Sequence, residues 1–141
     1  MRIVFPDPLI WQSGLEFGLQ AVGEFQNEEP ELECLLRSQG PLLEAVTFAA
    51  LQYQLLPKVQ WTRRCPHRFG SDDVAVFPRV APTDEAPIRD ALSQSISVIT
   101  SDPAVTISHP LLRLFPRRNV AALVECLVEV HARLRKTSVA S

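Results

Sequence analysis

The chain has 141 residues, 46% hydrophobic and 21% charged, which suits one domain around one core and excludes a disordered tail or a tandem array. Its formal charge of -2 argues against gross electrostatic binding to nucleic acid or anionic lipid, which draws on a basic surplus. Three widely spaced cysteines, Cys34, Cys65 and Cys126, fit neither a secreted disulfide framework nor a zinc ribbon.

These features predict a single globular domain over residues 1–136 and a frayed tail over 137–141, in the reducing cytoplasm. No apolar run reaches the roughly 18 to 20 residues of a membrane helix. Pro6, Asp7 and Pro8 also break the apolar stretch that a signal peptide needs. The small net charge hides an asymmetry: residues 1–57 hold eight acidic and two basic side chains, and residues 58–141 hold eight acidic and twelve basic. Ten of the twelve arginines fall in the second part, so the two halves should attract each other or a second copy.

Arg2–Phe5 reads as a short strand closed by the Pro6-Asp7-Pro8 turn. Residues 9–25 fit both periods, and the alternation of Leu15, Phe17, Leu19 and Ala21 with Gly14, Gly18 and Gly23 interspersed leans to a strand. Asn27 should cap a helix with Glu28, Glu29 and Glu31 in its first turn and Leu32, Leu35 and Leu36 on its buried face. Gly40 ends it, and Pro41 starts a second helix to about Leu56, apolar nearly all round. Val59–Thr62 is the next strand. Val74–Val80 is extended, and Pro78 demotes it to an edge. A short helix from Thr83 or Asp84 carries Ile88 and Leu92. Segments 95–100 and 104–108 then alternate about Ser101-Asp102-Pro103 as a hairpin. Asn119 caps the last helix, which runs to about Lys136 with Val120, Leu123, Val124, Leu127, Val130, His131 and Leu134 on one arc, and Glu129 and Arg133 spaced to pair. The predicted fold is α+β: a single domain whose small, mainly antiparallel sheet packs against two longer helices, those starting at Pro41 and Asn119.

Chemistry-bearing clusters are sparse. Cys65 and His67, among Arg63, Arg64 and Arg68, could make a thiolate and its base, but no Gly-rich oxyanion turn adjoins them. Cys65, His67, Asp72 and Asp73 offer mixed metal ligands without zinc spacing, and Cys126 and His131 lie about 140° apart on a helix, too far to clasp one ion. Asp72-Asp73 and Asp84-Glu85 read as solvated turns. No phosphate loop, dinucleotide fingerprint or nucleophile elbow is present, and no cofactor or metal is expected.

The remaining signal is an Arg/aromatic loop of Trp61, Arg63, Arg64, Arg68 and Phe69, supported by Arg117 and Arg118. Such residues are enriched at protein interfaces. The expectation is therefore a non-catalytic protein–protein interaction module (adaptor, assembly factor, chaperone or inhibitory partner) that binds an acidic protein surface or a second copy of itself. The alternatives are a nucleic-acid-binding protein using the basic second half, and a small thiol- or metal-dependent enzyme centred on Cys65 and His67.

Overall fold

Two apolar stretches of hydrophobic β-formers, Arg2–Phe5 and Asp73–Phe77, organise the molecule. The computed structural model describes residues 1–6, 15–26, 33–37, 59–62, 68–70, 72–77, 85–101, 107–115 and 119–140. In chain order the elements are β1 (Arg2–Phe5), α1 (Leu15–Phe25), β2 (Glu33–Arg37), β3 (Val59–Thr62), β4 (Asp73–Phe77), α2 (Ala86–Ser93), β5 (Ser97–Thr100), β6 (Leu112–Leu114) and α3 (Val120–Ala140). Among the described residues the strands form one six-stranded sheet in the order β3-β2-β1-β4-β5-β6. Every pairing is parallel, with Val4 opposite both Leu35 and Ala75, and Ile99 between Val76 and Arg113. This is the order of doubly wound α/β folds. The mainly antiparallel α+β sheet expected from the sequence is thereby corrected.

Helices cover both faces. On one face Ile3, Phe5, Val74, Val76 and Ile99 pack with Ala21, Val22 and Phe25 of α1 and Leu123, Leu127 and Val130 of α3. On the other, Ala75, Phe77 and Val98 pack with Ile88, Ala91 and Leu92 of α2. A strand buried on both faces has no polar side to alternate with, so β4 is buried at all five positions. It ends at Phe77, so Pro78, outside the described residues, follows the strand, and β4 lies centrally between β1 and β5. The edge position expected from Pro78 is therefore corrected.

The other corrections have similar causes. Residues 15–25 form a helix, not a strand. Gly18 and Gly23 cost it at most about 2 kcal/mol together, whereas burying Val22 and Phe25 is worth roughly 1.5–3 kcal/mol each. Glu33–Arg37 is strand β2, where a helix led by glutamates was expected; residues 27–32 lie outside the described ones. The expected hairpin is absent from the described residues: both neighbours of β5 are parallel, and Ile107 and Ser108 are in no strand. Residues 104–106 lie outside the described residues, as does the whole segment 41–56.

β1, β3 and α3 stand where the sequence placed them, α3 continuing to Ala140. α2 buries Ile88 and Leu92 as expected. Asn119 caps α3: its Oδ1 accepts from the Ala122 N–H at 3.0 Å, and its carbonyl accepts from the Leu123 N–H at 3.1 Å. His131, half-buried, meets the Phe25 ring edge-on with centroids 5.8 Å apart. No helix among the described residues is long and apolar enough to cross a membrane.

Candidate functional site

In an open parallel sheet every strand ends on the same edge, and a crevice opens there where neighbouring strands send their helices to opposite faces. Here that place lies between β1 and β4. β1 leads to α1 on one face, and β4 leads to α2 on the other. At this carboxyl edge β1 closes with Phe5 and Pro6, β4 with Phe77, β5 with Thr100 and Ser101, and β6 runs into Phe115.

Hydrogen bonds carry the ladder one step beyond the strands. The Phe77 carbonyl accepts from the Ser101 N–H at 3.2 Å and from the Thr100 hydroxyl at 3.4 Å, while the Thr100 carbonyl accepts from the Phe115 N–H at 3.2 Å. Thr100 and Ser101 are both buried, so hydroxyl-bearing side chains pack into this rim. Helix N-termini add positive potential. α2 ends against Ile96, just ahead of β5, so its first turn lies toward the carboxyl side. Glu85 precedes that turn without capping it through its side chain; its carboxylate instead accepts from Arg89 Nη2 at 3.2 Å. α3 starts a few residues beyond Phe115. Sequence reasoning missed this rim, although the apolar run of Ile96, Val98 and Ile99 running into Thr100 and Ser101 is the pattern of a buried parallel strand.

The opposite, amino edge holds a clamp. The Asp73 carboxylate, 4% exposed, accepts from Arg2 Nε at 2.8 Å, from Arg2 Nη2 at 2.6 Å and from the Gly70 N–H at 2.7 Å. The Arg2 N–H donates to the Asp72 carbonyl at 2.9 Å, and the Asp73 N–H to the Gly70 carbonyl at 3.1 Å. The hydrogen bonds to Asp73 raise the Arg2 guanidinium above its ordinary value. Asp73 is thus a structural partner of Arg2, and Asp72 is exposed.

Of the expected Arg/aromatic loop, Trp61, Arg68 and Phe69 lie among the described residues. Trp61 lies in β3 opposite Leu36. Phe69 lies at the foot of β4, half-buried against the cluster of Phe77 and Ile88, with its N–H donating to Gln94 Oε1 at 2.9 Å. Three strand spacings, roughly 14 Å, separate β3 from β4, so the structure does not bring the two aromatic positions together. Arg68 is exposed beside Phe69. Arg63, Arg64, Arg117 and Arg118 lie outside the described residues, as do Cys65 and His67.

On the flank formed by β6 and α3, Glu129 pairs with Arg113 (Nε to Oε2, 3.3 Å), not with Arg133. Arg113 Nη1 also donates to the Pro110 carbonyl at 3.2 Å. Arg133 donates instead to the hydroxyl of buried Ser97, and burial, then the neighbouring Arg113, lowers its guanidinium below the ordinary value. Cys34 and Cys126 are free thiols. Burial pushes both up, Cys34 by far the more strongly, so neither is a thiolate at neutral pH.

No family model and no curated protein sequence matches the chain. Among solved structures it is similar to a glycosyltransferase from Rickettsia africae, with a TM-score of 0.77 and 17% identity over 94% of this chain and 38% of that one. It is similar also to the C-terminal domain of a glycosyl transferase group 1 family protein (LpcC) from Francisella tularensis, with a TM-score of 0.73 and 13% identity over 95% of this chain and 77% of that one. A third is the lipopolysaccharide outer core galactosyltransferase WaaB, with a TM-score of 0.67 and 12% identity over 92% of this chain and 39% of that one. The chain thus spans about two fifths of the first and third of these proteins. At such identities the likeness is one of fold. It corrects the expected non-catalytic adaptor or chaperone, because this arrangement of strands and helices is the one that these glycosyltransferases share.

Proposed function

We propose that the chain is a sugar-donor-binding domain of a glycosyltransferase, holding a nucleotide-activated sugar across the carboxyl edge where β1 and β4 diverge. The observation that carries this reading is the overlap of nearly the whole chain with glycosyltransferase structures, on a sheet of the order β3-β2-β1-β4-β5-β6. Doubly wound sheets of this order take nucleotides at that edge, with phosphates at helix N-termini. Transfer from such a donor uses the diphosphate as leaving group: an acceptor hydroxyl oxygen bonds to the anomeric carbon, the carbon–oxygen bond to the diphosphate breaks, and the diphosphate departs with the electron pair and takes up the proton that the acceptor hydroxyl loses. Backbone N–H groups at the start of the helices would stabilise the charge that develops there. The hydroxyl-bearing Thr100 and Ser101 rim would form the floor of the crevice. The acceptor would be presented by a second protein unit, on the same polypeptide or another, which agrees with the chain spanning 38% of the Rickettsia protein. A cytoplasmic setting belongs to the proposal, supported by the free thiols of Cys34 and Cys126.

Titration of the labelled protein with uridine, guanosine and adenosine diphosphates, followed by amide NMR, tests the reading. At least one of them should move the amide resonances of Phe5, Phe77 and Ser101 while leaving those of Arg68 and Gly70 in place. Shifts confined to Arg68 and Gly70, or none with any nucleotide, would overturn it.

A further inference from the structure

We draw no further inference here: the strongest candidate, the Arg113 and Arg133 guanidinium pair beside the buried Ser97 hydroxyl on the flank of β6 and α3, carries nothing because Glu129, the Pro110 carbonyl and Ser97 already take these groups and nothing among the described residues marks a ligand between them.

Discussion

Arg2 and Asp73, 71 positions apart in the chain, meet in a two-pronged contact that ties β1 to β4 at the amino edge, opposite the crevice where the same strands diverge. The contact joins the amino ends of the two central strands. Asp73→Ala leaves the Arg2 guanidinium and the Gly70 N–H without their acceptor, a loss of about 3 kcal/mol. Urea denaturation should show a lower midpoint at unchanged slope. A change below about 0.5 kcal/mol would mean that the pair behaves as an ordinary surface ion pair.

Ser95 has φ of 61°, a left-handed conformation that suits glycine. It stands just past the end of α2, where its N–H donates to the Leu92 carbonyl at 3.0 Å and the Ile96 N–H donates to the Ala91 carbonyl at 3.3 Å. This pair of bonds closes a helix in the Schellman manner. Ser95→Gly should raise stability by up to about 1 kcal/mol, seen as a higher melting temperature, and Ser95→Val should lower it. Equal melting temperatures for the two variants would refute the assignment.

Asn119→Ala removes the side-chain acceptor from the Ala122 N–H and should cost about 1 kcal/mol, whereas Asn119→Ser, which keeps an acceptor, should cost far less. Thermal unfolding of the two variants side by side checks this. A serine variant as unstable as the alanine variant would show that the cap contributes little.

The two thiols give a pH dependence with a definite sign. Their ordinary value is 9.0, and in the folded protein both are raised, chiefly by burial. Above pH 9 the unfolded chain therefore binds fewer protons than the folded one, and stability falls as pH rises. The slope approaches about 1.4 kcal/mol per pH unit for each thiol that stays protonated. Below about pH 8 the thiols add almost nothing to the slope. Denaturation midpoints between pH 7 and 10.5 should fall less steeply in Cys34→Ala than in the parent, and parallel curves would contradict the burial of Cys34.

Three local signals matched the structure, although the spacing of Glu129 and Arg133 did not: Glu129 pairs with Arg113 instead. The proline stop after β1, the Asn119 cap and the apolar arc of α3 each rest on neighbours within a few residues, and each is found in the fold. Segments whose state depends on distant partners were misread. Glu33–Arg37 follows a glutamate-rich stretch that resembles a helix start, yet becomes a strand because β1 and β3 flank it with open backbone groups. The alternation at residues 15–21 is compatible with either period, and packing against α3 and the sheet decides for the helix.

The candidate site divides in the same way. The position of the final helix was set by residue type and spacing alone. The direction of each strand was not, because a parallel neighbour is chosen by the crossover that returns the chain, and apolar side chains buried on both faces leave no polar alternation to record it. Thr100 and Ser101 are ordinary residues until β4, β5 and β6 line up to bring them to one rim beside the divergence of β1 and β4. That rim is a product of strand order, which only the tertiary structure decided.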